Sequence, residues 1–249
     1  MEKAIYTKIQ KKKNNNEKAL AILIDPDKCE DRVGLLKLIH LCVECNVDLL
    51  LVGGSLITSN RTTETIQLIK ENSKIPVVIF PGNFMHINPE ADAILFLSLL
   101  SGRNPDLLIG QQVIAAPLLK QNCQIEVIST GYLLIDAGAP TTALYMSQSM
   151  PIPHDKPDIA MSTALAAQYL GFSCVYLDAG SGAKIPVSKN MIAKVKAEID
   201  IPLIVGGGLD NPEKVADAYN AGADIIVLGN GIEKTPDLLI EVSYLNKST

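Results

Sequence analysis

Apolar and polar stretches alternate along this chain. Ala19 to Ile24 is a continuous apolar run closed by Asp25-Pro26-Asp27, the pattern of a strand buried on both faces of a parallel sheet. Leu35 to Cys45 has apolar residues at helical spacing, and Asp48 to Val52 is strand-like again, closed by Gly53-Gly54-Ser55. Thr62 to Glu71 predicts a helix, and Pro76 to Phe80 a strand ended by Pro81-Gly82-Asn83. Ahead of these, residues 1–18 are polar and weakly patterned, with room for a short helix from Ala4 to Lys11. Strand and helix patterns in strict turn predict a parallel α/β fold with right-handed crossovers.

The beat breaks once. Pro81 to Ser98 is too short for a helix and a strand together, and Gly82, Asn83, Asn88 and Pro89 would interrupt a helix there. The third helix is therefore expected to be missing or irregular. Ala93 to Leu97 is the fourth strand, Asp106 to Leu119 the fourth helix, and Glu126 to Thr130 opens a fifth strand that Tyr132 to Ile135 continues. A long proline-rich loop follows, of the kind that forms lids or binding loops. Ala160 to Leu170 predicts the next helix and Cys174 to Leu177 the sixth strand. Pro186 opens a helix at a favourable first position. Asn211-Pro212-Glu213 opens another that runs to Gly222. Strand eight ends at Gly229, and Asp237 to Leu245 is the last helix. Eight strands in 249 residues predict a single (β/α)8 TIM-barrel domain spanning 1–249.

Composition narrows the picture. With 47% hydrophobic residues, 4% aromatic and no Trp, the core must be aliphatic. The net charge of −5 argues against nucleic acid, which needs clustered Lys and Arg. Lys11-Lys12-Lys13 reads as a solvated loop. Five cysteines without a regular framework argue for a reducing compartment, and Cys42 and Cys45 read as helix packing rather than metal ligands. No long apolar run or signal sequence is visible, so a cytoplasmic protein is expected.

In a barrel, chemistry sits at the C-terminal ends of the strands. Three consecutive strands here end in bare backbone: Tyr176-Leu177-Asp178-Ala179-Gly180-Ser181-Gly182, then Gly206-Gly207-Gly208, then Gly229-Asn230. Unscreened backbone N–H groups form a concave anion site, and loops after strands seven and eight commonly take phosphate. A lone Gly-Ser-Gly reads equally as a tight turn; the three ends together read as one phosphate site. Across the barrel, Asp25 and Ser55 offer oxygens to a hard cation such as Mg2+, which favours few protein ligands plus substrate phosphates. Asp25 also suits a cap before Pro26. Asp178 beside the cradle reads as a proton acceptor or hydroxyl orienter, or as a helix cap. His40, His86 and His154 form no triad.

Leu23 to Lys28, Val52 to Ser55, Phe80 to Asn83, Tyr176 to Ala183, Val205 to Gly208 and Gly229-Asn230 together resemble the geranylgeranylglyceryl phosphate synthase family, related to the heptaprenylglyceryl phosphate synthases. Leu23-Ile24-Asp25-Pro26-Asp27-Lys28 is similar to the archaeal-type group, also found in some bacteria. The resemblance covers nearly the whole chain and implies a barrel lacking a regular third helix. It implies prenyl transfer, in which the C3 hydroxyl of sn-glycerol 1-phosphate attacks C1 of a polyprenyl diphosphate and diphosphate leaves. By motif position, Asp25 and Ser55 would hold Mg2+. Tyr176, Gly180, Ser181, Gly182, Gly206, Gly207, Gly208, Gly229 and Asn230 would hold glycerol phosphate, and Asp178 would meet the reacting hydroxyl. The family usually carries glutamate where this chain has Asp178. A homodimer or higher homo-oligomer and a transient membrane-surface contact for the lipid product are further expectations. Phe96, Leu97, Leu99, Leu100, Tyr132, Leu133 and Ile135 are candidates for an apolar groove opening where the helix is missing. Two other readings stay open: a sugar-phosphate isomerase or aldolase, and a non-catalytic phosphate-binding barrel.

Overall fold

A computed structural model describes residues 4–122, 125–229, 232 and 235–245. Its parallel strands close in chain order: β1 (Ala19–Ile24), β2 (Leu49–Gly53), β3 (Val77–Phe80), β4 (Ala93–Leu99), β5 (Glu126–Leu134), β6 (Cys174–Asp178), β7 (Leu203–Gly206) and β8 (Ile225–Leu228). β8 returns to β1, pairing Ala19 with Ile225 and Ile22 with Leu228. The helices are α1 (Ala4–Asn14), α2 (Arg32–Glu44), α3 (Thr62–Asn72), α4 (Gln111–Asn122), α5 (Thr142–Ser147), α6 (Pro157–Tyr169), α7 (Lys189–Glu198), α8 (Pro212–Asn220) and α9 (Asp237–Leu245). None of the described helices is long and apolar enough to cross a membrane.

Strand parity sorts the apolar runs into two cores. Leu20, Ile22 and Ile24 of β1, Leu50 and Val52 of β2, and Leu133 of β5 pack outward against the helices. Ala19, Ala21, Leu49, Leu51, Tyr132, Leu134 and Tyr176 fill the barrel itself. Because both faces are covered, the strands read as unbroken apolar runs rather than alternating ones. Cys42 and Cys45 are buried beside this outer core, as packing residues would be, and burial pushes the Cys42 thiol up to about 12.

Some details follow the sequence expectation and others differ. Between β3 and β4 a single 3-10 turn, Phe84–His86, stands where a helix would be; Asn83 caps it by accepting from the Met85 N–H at 2.8 Å. This is the irregular third unit expected from the short spacing. α7 starts at Lys189 rather than Pro186 because Ser188 accepts from the Met191 N–H at 3.2 Å. A hydroxyl satisfies an orphan helix amide, worth about 1 kcal/mol, and a proline ring cannot. α4 is preceded by a π turn, Asp106–Gly110, and holds Pro117 within it. Lys11, Lys12 and Lys13 lie in the last turn of α1 rather than in a loop, where cations oppose the helix dipole favourably.

α1 lies against the barrel's N-terminal end. Its Ile5 and Ile9 join the interior core, and the buried Glu126 carboxylate accepts from the Ile5 and Tyr6 N–H groups, each at 2.8 Å. With that end occupied, the opposite end is the one left open.

Candidate active site

At the C-terminal ends of the strands lies a polar cavity of about 360 Å³. β1 contributes Asp25, the loop after β2 contributes Ser55 and Leu56, and β6 contributes Tyr176 and Asp178. Gly180 to Ala183, Gly207 to Asp210 and Gly229 supply mostly backbone. Its described lining includes the carboxylates of Asp25, Asp178 and Asp210 and no lysine or arginine. Any anion held there by this lining must use backbone N–H groups, the hydroxyls of Ser55, Thr142, Tyr176 or Ser181, or a bound cation.

The sequence-predicted residues fall into three sets, and Gly206 stands apart from all of them, outside the cavity lining. Asp25, Ser55, Tyr176, Asp178, Gly180, Ser181, Gly182, Gly207, Gly208 and Gly229 all line this one cavity. Leu177 and Ala179 have no exposed side chain and belong to the strand–helix core, so only their backbone could serve a ligand. Asn230 lies outside the described residues.

Two glycines have distinct reasons. A side chain on Gly206 would collide with the Tyr176 hydroxyl, so this position makes room for the phenol beneath the cavity. Gly207 has φ of +84°, and a Cβ there would stand 2.6 Å from the Gly180 nitrogen. The loops after β6 and β7 therefore approach backbone to backbone, which a side chain would prevent.

Asp178 is buried and doubly held. Its Oδ2 accepts from the Tyr132 hydroxyl at 2.5 Å and its Oδ1 from the Gly180 N–H at 2.6 Å. Burial pushes its carboxyl up, opposed by those two donors. Burial and the neighbouring Asp178 charge push the Tyr132 phenol well above its ordinary range, and Tyr176 likewise. Both phenols stay protonated, and Tyr132 donates to Asp178. Tyr132, Tyr176 and Phe80 form an edge-on cluster with ring centroids 5.5, 5.7 and 6.1 Å apart.

The two carboxylates of Asp25-Pro26-Asp27 part company. Asp25 lines the cavity, accepts from the Asp27 N–H at 3.1 Å and lies 3.7 Å from Lys28 Nζ. It is thus both the cap and the cavity oxygen that its position suggested. Asp27 instead ties down the loop after β2, accepting from the Thr58 N–H and hydroxyl at 2.8 Å and the Ser59 N–H at 2.9 Å. The Ser59 side chain and Thr58 amide hold its carboxyl well below the usual carboxylate range.

A second cavity, of about 300 Å³, is apolar and opens beside the irregular third unit. Phe84 and Ile87 border it from that unit, Phe96, Leu97 and Leu99 from β4, and Ala115 from α4. The two cavities meet: Ser55, Leu56 and Phe80 line both. α5 spans the junction, with Thr142 on the polar side and Ala143 and Met146 on the apolar side. Of the residues expected in an apolar groove, Phe96, Leu97, Leu99 and Tyr132 are there. Leu133 and Ile135 point outward into the helix layer and Leu100 packs against that same core, because neighbouring strand residues face opposite ways.

Residues 12–244 match the model of the PcrB family. The chain belongs to the PcrB family. It is 52% identical over 231 residues to the geranylgeranylglyceryl phosphate synthase of Spirosoma linguale, covering 93% of this chain and 92% of that protein. With the protein of the same name from Chitinophaga pinensis it shares 47% over 243 residues, covering 98% and 96%. The crystal structure of (S)-3-O-geranylgeranylglyceryl phosphate synthase from Thermoplasma acidophilum in complex with sn-glycerol-1-phosphate superposes with a TM-score of 0.91 at 36% identity, covering 98% of each chain.

In this PcrB-family barrel, sequence reasoning missed Tyr132 as a partner of Asp178, and α5 altogether. The signal for Tyr132 was parity: it faces the interior two residues before Leu134, which pairs with Asp178 across β5 and β6. α5 carries Thr141, whose hydroxyl caps it by accepting from the Leu144 N–H at 3.3 Å.

Proposed function

We propose that this chain is a prenyltransferase joining the C3 hydroxyl of sn-glycerol 1-phosphate to a polyprenyl diphosphate, with geranylgeranyl diphosphate the expected donor. One observation carries the reading: a glycine-rich polar cavity and an apolar cavity meet at Ser55, Leu56 and Phe80. A small anion and a long hydrocarbon would thereby have their reacting ends at a common junction. The glycerol phosphate lies against Gly180 to Gly182, Gly207, Gly208 and Gly229, its phosphate held by backbone N–H groups. Gly206 serves indirectly, by admitting Tyr176. The prenyl tail runs past Phe96, Leu97 and Leu99.

In the reaction the bond from prenyl C1 to the diphosphate oxygen breaks and a bond from the glycerol C3 oxygen to C1 forms. Asp178 orients the attacking hydroxyl and takes its proton. Asp25 and Ser55 fit Mg2+: a carboxylate and a hydroxyl on neighbouring strand ends, with the remaining positions left to diphosphate oxygens. Bound there, the cation would neutralise the leaving group. The described lining has no lysine for the Schiff base an aldolase would use.

The uncharged exposed face of Val113, Ile114 and Leu118 on α4 supports a homo-oligomer, and the buried thiols of Cys42 and Cys174 support a cytoplasmic setting. The test is diphosphate release by purified protein given both substrates, across a series of prenyl lengths. Release that requires both, with a length optimum, is expected; no release at any length would reject the function.

A further inference from the structure

We infer that Tyr132 is a positioning residue that fixes Asp178 for the attacking hydroxyl and ties its alignment to the apolar cavity. The inference rests on the prenyl-transfer reading. An ionised carboxylate offers about four acceptor sites on two oxygens. Gly180 N–H occupies one on Oδ1 and Tyr132 O–H one on Oδ2, which leaves each oxygen able to accept from a substrate hydroxyl. A short side chain held from both sides has little rotational freedom, so its open lone pairs keep one direction.

The hydroxyl on Oδ2 comes from a residue with a second contact. Tyr132 lines the apolar cavity, whereas Asp178 lines the polar one. Its ring is braced edge-on by Phe80 at 6.1 Å and Tyr176 at 5.5 Å between centroids. Phe80 itself lines both cavities. A hydrocarbon packed against the Tyr132 ring therefore presses on the group that aims the carboxylate. Misplacement of a reacting group by a fraction of an ångström is costly in rate, so a donor tail that seats well against the ring also seats Asp178. The ionisable groups facing Asp178 are Tyr132 from β5 and Tyr176 from its own strand, with Asp25 and Asp210 across the polar cavity.

Tyr132→Phe removes the hydroxyl and keeps the ring. Turnover should fall about 10- to 100-fold, the size expected for a hydrogen bond to a charged group, while KM for both substrates stays within about twofold. The Asp178 carboxyl, followed by carbon-13 NMR in the protein without substrates, should titrate at higher pH in the variant because a donor that lowers it is gone. The acidic limb of turnover should move the same way. Tyr132→Phe combined with Asp178→Asn should lose no more than Asp178→Asn alone, since one residue acts through the other. If the phenylalanine variant does not fold, 3-fluorotyrosine at position 132 serves instead; its stronger donor should move the titration to lower pH.

An unmoved titration, or losses that add in the double variant, overturns the inference. The NMR titration needs no turnover, so a protein with no prenyl transfer would reject the function while the Tyr132–Asp178 coupling is still read. A moved titration with unchanged turnover would also overturn the inference, because the hydrogen bond would then exist without positioning anything that reacts.

Discussion

The two halves of the barrel mouth are made from different materials. On the side of β6, β7 and β8 the cavity wall is mostly backbone, supplied by Gly180 to Gly182, Gly207, Gly208 and Gly229. On the side of β3, β4 and α4 it is side chain: Phe84, Ile87, Phe96, Leu97, Leu99 and Ala115. A backbone wall has fixed geometry and tolerates little change. A side-chain wall can be resized one residue at a time without altering the strands beneath it. On the prenyl-transfer reading, one scaffold can thus keep a constant small anion site while its long apolar site varies. The lining of the anion half also forces a choice, because it gathers three carboxylates and no described basic side chain.

That choice leads to the largest expected effect. If a divalent cation offsets those carboxylates, excess EDTA should lower diphosphate release by about a hundredfold or more, since metal charge stabilisation is worth several kcal/mol. Asp25→Asn should do nearly the same. Asparagine caps about as well as aspartate, so the 3-10 turn after β1 and the melting temperature should be kept. Full activity in excess EDTA, unchanged by added Mg2+, would remove the cation from the scheme.

The next effect separates the halves directly. Gly207→Val places a β-branched residue at φ of +84° with its Cβ 2.6 Å from Gly180 N, a strain of about 1–3 kcal/mol released by displacing the cradle. Calorimetry should show at least about tenfold weaker sn-glycerol 1-phosphate binding and nearly unchanged prenyl diphosphate binding. Equal loss of both would mean the two cavities are one site. The converse variant, Ala115→Phe, fills part of the apolar cavity. Overpacking of this kind costs about 1–3 kcal/mol, so kcat/KM should fall most for the longest prenyl diphosphate and least for the shortest, with KM for glycerol phosphate unmoved. A uniform loss across lengths would count against the tail path.

The contrast also explains what could be read before any coordinates. Backbone walls are easier to read, because glycine recurs at three consecutive strand ends, and Gly180, Gly182, Gly207, Gly208 and Gly229 line one cavity. The short span from Pro81 to Ser98 announced the irregular third unit for the same reason: chain length is a hard constraint. Side-chain sites do not announce themselves. Leu133 and Tyr132 look alike as apolar strand residues, and the fold alone assigns one to the helix layer and the other to the cavity. Gly206 was legible as a glycine the site needs but not for its reason, since Tyr176 crosses beneath it. The helix at Ala4 was legible but its seat on the barrel was not, because that depends on two apolar residues, Ile5 and Ile9, and on Glu126, which is 120 residues away from Tyr6. Asp25 was picked out as the cavity carboxylate, but nothing in the sequence showed that Asp27 would instead tie down the loop after β2.

That last pair supplies the smallest effect and the finest test of the comparison. Asp27 touches neither cavity's described lining, yet it holds the loop that delivers Ser55 and Leu56, residues common to both. Asp27→Asn keeps one acceptor oxygen but loses the charge, so the Thr58 and Ser59 amides are held more loosely. KM should rise a few-fold for both substrates, because the shared edge moves, while turnover stays within about twofold. Stability should drop by no more than about 1 kcal/mol, since the group is largely solvent-screened, or about 2–4 °C for a chain of this size. The pH dependence has a definite sign. The folded carboxyl is held below its unfolded value near 3.8, so its contribution is present above that pH and is lost as pH falls toward the folded value. Thermal melts of wild type and variant should therefore differ at neutral pH and begin to converge only as pH falls below about 4. A KM change confined to one substrate would show that the loop after β2 belongs to one half of the mouth rather than to the seam between them.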